Sequence, residues 1–287
     1  MALNTLYDKR KQKNVVEVVF HGIPYAEFDR SGHWSTWSLV RMFEGSLLLS
    51  ASLSPCVETV TSHEEEYILL RQHCKISPRY YQDITIQSDF NPRIVFDCQE
   101  VGRTSLNIKV RMCNQHTDYI YATNMRKMVN FNKRTKKAVP NNPFYLEQAE
   151  RLNSIRPKYR WLPFPDNIPS KVFRMKVRPL HSDTDYMNHV NNSSYVRFCL
   201  DCCACAAEAK FYNHFEADFH YPVLEMDIQY LGESFANDTL DISTWQSETD
   251  IRDLYFVITH KHKVITKTFL RVGLTKLRKS TYADSKL

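Results

Sequence analysis

A cluster of polar residues from Asp183 to Tyr195 runs directly into the apolar stretch 196–209. The cluster contains two acids, one histidine and three asparagines. Burying polar groups costs free energy unless they are hydrogen-bonded, so this pattern at the start of a core helix indicates a site as well as a turn. A carboxylate can activate water or act as a nucleophile, and helix N-terminal N–H groups can stabilise an oxyanion. These two kinds of group are what the attack of water on an acyl carbon requires.

The same polar turn occurs a second time, earlier in the chain. A shift of 156 residues places Asp185 on Asp29, Asp183 on Glu27, His189 on His33, Val196 on Val40 and Arg197 on Arg41. The acid, the histidine and the following helix keep one register, and such repeats determine architecture. We therefore predict two copies of a unit made of a strand, a polar turn, a helix and a sheet.

The hydrophobic and β-branched patterns predict the elements that must position these turns. Helices are predicted at 34–53, at 145–155 and from 196 to about 212. Strands are predicted at 15–20, 67–76, 81–88, 93–99, 105–111, 117–130, 171–178, 224–230, 239–247, 255–263 and 264–274. The resulting division is a leader at 1–14, a first unit at 15–130, a Pro-rich and basic linker at 131–170, a second unit at 171–275 and an exposed tail at 276–287.

Composition narrows the class of protein. The chain is 43% hydrophobic and 24% charged, as expected for a soluble globular protein. It has only 6 Gly, too few for a glycine-rich phosphate loop, and no dinucleotide fingerprint. The net charge is +6. Because no nucleic-acid-binding motif accompanies this charge, we interpret it as a solvated basic surface and not as a nucleic-acid site. We expect no membrane span, because no apolar run approaches the required length of about 20 residues.

The cysteines are interpreted as structural, and the histidines outside the two polar turns, including His260 and His262, lack the spacing of a metal site. The N-terminus lacks the apolar region of a signal peptide, so the eight cysteines are expected to be reduced thiols. Cys199 and Cys203 share a helix face, but small apolar residues are what a buried helix needs, and we predict no metal site.

The run Asp-x-Asp-x-x-x-His-Val-Asn-Asn-x-x-Tyr at 183–195, which enters a long apolar helix, resembles the hotdog-fold thioesterases. It is most similar to the acyl-carrier-protein and acyl-coenzyme A thioesterases that carry two hotdog units in one chain. The resemblance implies an α+β fold, a tandem (double) hotdog in which each unit wraps an antiparallel β-sheet around a long central helix. It also implies that the thioester lies at the junction of the two units.

The resemblance assigns catalytic roles to three residues. Asp185 matches the catalytic carboxylate, His189 matches the histidine of the plant-type enzymes, and Glu233, in Tyr230-Leu-Gly-Glu-Ser234, matches a catalytic acid. We expect Asp185 to act as base or nucleophile, His189 to orient the thioester or the water, and Glu233 to polarise or hold the water. Two departures matter: Met187 stands where the plant-type enzymes have a catalytic Asn, and Ser234 stands where they often have Cys. Structural alternatives stay open, since Asp185 could cap a helix, His189 could be a core histidine and Glu233 a surface acid.

Further residues of both turns are expected to contact substrate. They are Asn188, Asn191, Asn192, Tyr195, Asp29, His33 and Trp34. Within this set Asn191 or Asn192 is also a plausible helix cap, and capping or turn bonding is the favoured role of Asp183 and Asn192. The first turn is expected to shape the acyl pocket, and a second active site at Asp29 is the alternative.

The final tripeptide, Ser285-Lys286-Leu287, is typical of a peroxisomal address. Together with the resemblance it predicts a matrix acyl-coenzyme A thioesterase that contacts the import receptor and uses no cofactor besides the coenzyme A of its substrate. Two alternatives stay open: an enoyl-coenzyme A hydratase of the same fold and a non-catalytic acyl-coenzyme A-binding protein. The protein is expected to be either a monomer, in which the two hotdog units of one chain form a pseudo-dimer, or a homo-oligomer of such double hotdogs.

Overall fold

The computed structural model describes residues 7–12, 15–50, 64–141, 143–155, 158–216 and 219–278. The Ser285-Lys286-Leu287 tripeptide, most of the predicted tail and part of the predicted leader therefore lie outside the described residues. The elements, in chain order, are β1 (Tyr7–Gln12), β2 (Val15–Phe20), α1 (Thr36–Ser50), β3 (Glu65–Ile76), α2 (Pro78–Asp83), β4 (Pro92–Val101), β5 (Ser105–Asn114), β6 (Ile120–Asn132), β7 (Lys137–Ala138), α3 (Pro143–Ile155), β8 (Phe173–Val177), α4 (Asn192–Glu208), β9 (Val223–Tyr230), β10 (Leu240–Gln246), β11 (Asp253–His260) and β12 (Lys263–Val272).

The described residues form two compact units. The first contains those within 1–24, 42–80 and 88–161, and the second contains those within 25–41, 81–87 and 162–287. The first polar turn and the start of α1 are therefore part of the second unit, together with the second polar turn.

The first unit is built on an antiparallel sheet with the strand order β1-β2-β4-β5-β6-β3, and β7 pairs with β6. The side chains of Val18, Ile94 and Val110 are completely buried on it. Helix α3 packs on β4, where Asn153 both accepts from and donates to the main chain of Val101, at 3.1 and 2.8 Å. Alternating β-branched residues thus produce the core that the sequence predicts.

Two local expectations for this part of the chain were wrong. Residues 7–12, predicted as part of a loose leader, form strand β1, paired with β2. An edge strand needs only main-chain hydrogen bonds, and its Lys and Arg side chains are typical of protected edges. The strand expected at 81–88 is absent from the structure, and Pro78–Asp83 form helix α2 instead. Pro78 fits the first helical position, and Ser77 Oγ accepts from the N–H of Arg79 at 3.3 Å.

The second unit has the antiparallel strand order β9-β12-β11-β10-β8. Helix α4, 17 residues long, contacts β8 and β10 of this sheet. Its buried residues recur at helical spacing and include Phe198, Cys199, Cys202, Cys203 and Ala206. Burial raises the pKa of the Cys199 thiol to about 12, so this thiol stays protonated and behaves as a small apolar group. Helix α4 is therefore packed against the sheet along its buried face, and this packing fixes the position of the polar turn at its N-terminus.

None of the helices among the described residues is both long and apolar enough to cross a membrane.

Candidate active site

The side chain of Asp185 is held by its own turn. Its Oδ1 accepts the main-chain N–H groups of Met187, at 2.8 Å, and His189, at 3.3 Å. The main-chain N–H of Asp185 donates to the carbonyl of His189 at 2.9 Å, and Asn188 adopts a left-handed backbone with φ 64°. Asn is one of the few residues that adopt this conformation readily. Within the described residues nothing donates to Oδ2 of Asp185, so a fixed carboxylate keeps one oxygen available for a proton.

Helix α4 begins directly after this turn, and Asn191 is its N-cap. The side-chain oxygen of Asn191 accepts the N–H of Ser193 at 2.8 Å and its hydroxyl at 2.6 Å. The N–H of Asn191 donates to the carbonyl of Asp183 at 2.8 Å. The cap places the partial positive charge of the helix N-terminus beside the turn that holds Asp185.

Asp183 is bonded to its turn and to α4. Its Oδ2 accepts the N–H of Leu180 at 2.8 Å, and its Oδ1 accepts a hydrogen bond from Nη2 of Arg197. Nη1 of Arg197 lies 3.7 Å from Asp201, one turn further along the helix. Because both oxygens of Asp183 are occupied, this acid ties the turn to the helix, and Asp185 is the acid with a free oxygen.

A cavity of about 200 Å³ lies at this point of the second unit. Its lining residues are Trp37, Arg41, Ser182, Asp183, Thr184, Asp185, Asn191, Ser193, Ser194 and Arg197. Only Trp37 contributes a large apolar side chain, and the rest are charged, amide or hydroxyl groups. Among the residues that the sequence singled out as catalytic or substrate-binding, Asp185 and Asn191 line this cavity.

The two arginines of the cavity have no role in the sequence-based hypothesis. Arg41 and Arg197 coincide under the 156-residue shift that relates the two turns, so the repeat contained a signal for them. The hydroxyl residues Ser182, Thr184, Ser193 and Ser194 carried no comparable signal, because such residues are common in any turn or helix start.

His189 and Glu233 form a pair that does not line the cavity. Nε2 of His189 lies 3.4 Å from Oε2 of Glu233, and the two side chains are 28% and 52% exposed. The imidazole also contacts the ring of Phe235 edge-on, with centroids 5.3 Å apart. The main chains of His189 and Phe235 form an isolated bridge. The structure thus brings these two predicted residues together, beside the turn of Asp185.

Of the remaining predicted residues of the second turn, Tyr195 and Asn192 make structural contacts and Asn188 is exposed. The Tyr195 hydroxyl lies 2.8 Å from Oγ of the fully buried Ser234, and burial raises the pKa of Tyr195 to about 12. The carbonyl of Asn192 accepts from the hydroxyl of Tyr230 at 3.1 Å. The side chain of Asn188 is exposed. Ser234 is therefore bonded to Tyr195 in the core of the unit.

The first turn repeats the hydrogen bonds of the second. Oδ1 of Asp29 accepts the N–H groups of Ser31, at 2.8 Å, and His33, at 3.1 Å, while the N–H of Asp29 donates to the carbonyl of His33 at 2.8 Å. Here, however, the ring of His33 is only 5% exposed, with Nδ1 2.9 Å from Oγ of Ser31, and Trp34 is completely buried. Burial lowers the pKa of His33, against the opposing effects of Asp29 and of a hydrogen bond that the imidazole donates to the main chain of Tyr81. Asp29, His33 and Trp34 do not line the cavity.

Within the described part of the chain, no three or more His, Cys, Asp or Glu side chains are grouped so that they could hold a metal ion.

Comparisons with known proteins identify the fold. Residues 179–271 match the thioesterase-like superfamily. No curated protein sequence matches the chain.

Three solved structures illustrate the likeness. A protein from Lactobacillus plantarum, provisionally named an oleoyl thioesterase, is 14% identical over 92% of this chain and 96% of that chain, with a TM-score of 0.70. The 12:0-ACP thioesterase from Umbellularia californica is 13% identical over 92% of this chain and 99% of that chain, with a TM-score of 0.66. An acyl-ACP thioesterase from Bacteroides thetaiotaomicron is 13% identical over 91% and 98%, with a TM-score of 0.64. Residues 179–271 therefore carry the pattern of the thioesterase-like superfamily, and the chain has a hotdog-like thioesterase fold.

Proposed function

We propose that this protein hydrolyses acyl-coenzyme A to a free acid and coenzyme A, with Asp185 as the catalytic carboxylate. One observation carries the proposal: Oδ1 of Asp185 is fixed by two main-chain N–H groups, while Oδ2 stays available beside a polar cavity at the start of α4. A thioester hydrolase needs such a fixed base next to donors that can stabilise an oxyanion.

The reaction proceeds in two steps. Oδ2 of Asp185 takes a proton from a water molecule as the water oxygen forms a bond to the acyl carbon. The carbonyl oxygen becomes an oxyanion, which the positive end of α4 stabilises. The carbon–sulfur bond then breaks, and the thiolate of coenzyme A receives the proton from Asp185. Attack by the carboxylate itself, with a covalent intermediate, is the alternative use of the same oxygen.

The other predicted residues support this centre. Glu233 holds the imidazole of His189, which orients the thioester or the water from the side of the turn. Asn191 keeps the start of α4 in place beside Asp185. Asn188, Asn192, Tyr195, Asp29, His33 and Trp34 shape the surroundings of the substrate rather than contact the reacting atoms.

The finer architecture belongs to the same proposal. We propose a double hotdog, in which each of the two antiparallel sheets wraps around a long helix. The strand orders of the two units, the 15-residue α1 and 17-residue α4, and the matching hydrogen bonds of the two polar turns support it.

The decisive experiment is thiol release from a panel of acyl thioesters by wild type and Asp185→Asn. The panel contains acyl-coenzyme A of several chain lengths and acyl carriers of the acyl-ACP type. We expect hydrolysis by wild type and a loss of about 10²- to 10⁴-fold in Asp185→Asn, the usual contribution of general acid–base catalysis. The exposed Asp241→Asn on β10 is the matched control. Equal rates in wild type and Asp185→Asn would eliminate Asp185 as the catalyst.

Two further results of the panel would redirect the assignment. Binding without thiol release from any substrate would favour a non-catalytic acyl-coenzyme A-binding protein. Addition of water to an enoyl-coenzyme A would favour a hydratase.

The peroxisomal location and recognition by the import receptor stay predictions. They are tested by comparing the distribution of a fluorescent protein fused ahead of the chain with and without Ser285-Lys286-Leu287.

A further inference from the structure

The cavity beside Asp185 contains a cation that the hydrolysis mechanism leaves unused. Arg41 lines the cavity, its side chain is exposed, and it has no ion-pair or hydrogen-bond partner among the described residues. The other lining cation, Arg197, is already paired with Asp183 and lies 3.7 Å from Asp201. The guanidinium of Arg41 is therefore the positive group of this cavity that can accept a new anionic partner.

The size and lining of the cavity limit what can enter. A volume of about 200 Å³ corresponds to roughly six or seven water molecules, so it can hold a short acyl group. An alkyl chain would desolvate the guanidinium of Arg41 and the hydroxyl of Ser182, which have no side-chain hydrogen bond among the described residues, without offering them one, and this costs free energy. A group with oxygen atoms can satisfy them.

The position of Asp185 in the same cavity limits where the anion can lie on the substrate. If the acyl carbon is next to Asp185, an anion bound by Arg41 must belong to the acyl group. The phosphates of coenzyme A are separated from the thioester by the whole pantetheine arm, which a cavity of this volume cannot contain.

From this geometry we propose that Arg41 is a specificity-determining residue that binds a second carboxylate on the acyl group, so that the substrates are thioesters of short dicarboxylic acids. The inference rests on the proposed thioesterase function and extends it to a substrate class. A guanidinium can bind a carboxylate with two parallel hydrogen bonds, an arrangement that also fixes the orientation of the acyl chain.

The test compares adipyl-coenzyme A with hexanoyl-coenzyme A, whose acyl groups have chains of equal length. We expect wild type to hydrolyse the adipyl substrate with a kcat/KM about tenfold or more above that of the hexanoyl substrate, as one charge-assisted interaction allows. Arg41→Ala removes this preference and changes the hexanoyl rate less than about twofold, and Arg41→Lys restores part of it. Arg174→Ala, which removes an exposed arginine of β8, retains the preference.

The same substrates on pantetheine instead of coenzyme A separate the sources of the anion. We expect the adipyl preference and its loss in Arg41→Ala to persist, because the acyl carboxylate remains. An Arg41→Ala defect that is equal for both acyl groups and vanishes on pantetheine would assign Arg41 to the coenzyme phosphates and overturn the proposal. If Arg41→Ala lowers kcat equally with every substrate, Arg41 acts on the oxyanion and the proposal is overturned. The proposal is also overturned if Arg41→Ala changes no rate.

A binding measurement distinguishes failure of this inference from failure of the proposed hydrolysis. Asp185→Asn is expected to bind substrate without turnover, so its affinity can be measured by calorimetry. The Asp185→Asn variant should bind adipyl-coenzyme A about tenfold more tightly than the double variant that carries both Asp185→Asn and Arg41→Ala. If wild type releases no thiol from any substrate, this difference in affinity still supports the carboxylate site, and equal affinities refute it.

Discussion

The main-chain N–H of Met187 donates a hydrogen bond of 2.8 Å to Oδ1 of Asp185. Met187 is the residue at which the sequence departs from the plant-type thioesterases, which have a catalytic Asn there. In the structure its main chain, not its side chain, makes the contact with the catalytic candidate. Any residue except proline can supply this N–H, so the departure leaves the position of Asp185 intact.

The first prediction concerns this contact. Met187→Ala and Met187→Asn keep the N–H donor, so we expect both variants to retain kcat within about threefold of wild type, far from the loss expected for Asp185→Asn. The kcat values of wild type and the two variants are measured by steady-state hydrolysis of the best substrate. A gain of more than about tenfold in Met187→Asn would show that the missing amide limits catalysis.

The second prediction concerns Asp183 and Arg197. The pair is partly buried and ties the turn to α4, so Arg197→Ala should lower the free energy of unfolding by about 1–3 kcal/mol, mainly because the Asp183 carboxylate loses its partner. A double-mutant cycle with Asp183→Asn, measured by urea denaturation, should give a coupling of about 0.5 kcal/mol or more. The cycle of Arg197 with the exposed Asp201 is the control and should give less than about 0.5 kcal/mol. Equal couplings in the two cycles would contradict the structural role of Asp183.

The third prediction concerns His189 and Glu233. Both side chains are substantially exposed, so their contact should couple by less than about 1 kcal/mol in stability. If Glu233 acts by holding His189, then His189→Ala and Glu233→Gln each lower kcat, and the double variant loses little more than the worse single variant. Losses that multiply would show that the two residues act independently.

The fourth prediction concerns pH. Burial lowers the pKa of His33 in the folded state, whereas the unfolded chain has the ordinary value of about 6.5. Above that value both states are neutral at this residue. Below it the unfolded state binds a proton that the folded state resists, so acidification should destabilise the fold, by at most about 1.4 kcal/mol per pH unit for one group.

Urea unfolding from about pH 7.5 to about pH 5.5 measures the effect of His33. His33→Gln should show a shallower fall in the free energy of unfolding than wild type. His116→Gln, which replaces an exposed histidine of the first unit, serves as the control. A slope that is the same in His33→Gln and wild type would show that another group causes the acid sensitivity.

Several local features could be predicted from residue patterns alone. Strand β3 and the 192–208 helix follow from β-branched and 3.6-residue periodicity, and the Asx-type turns of Asp29 and Asp185 follow from acids placed before a left-handed Gly or Asn. Helix α2 was missed because Tyr80 and Tyr81 favour strands, while the capping by Ser77 and the position of Pro78 favour a helix. Strand β1 was missed because an edge strand is polar and lacks the alternating apolar pattern.

The sequence by itself determined the repeat, the acid at the start of a buried helix, and the sheet-forming segments, because these depend on spacing within short stretches of chain. Only the tertiary structure decided which acid keeps a free oxygen. Asp183 and Asp185 are two residues apart and have the same chemistry. Arg197, 14 positions after Asp183, donates a hydrogen bond to Asp183 and not to Asp185, so Asp185 keeps a free oxygen. It also decided that Arg41, 144 positions before Asp185, lines the same cavity. Contacts between distant residues form only when the chain folds, and the properties of one polar side chain depend on the partners those contacts provide.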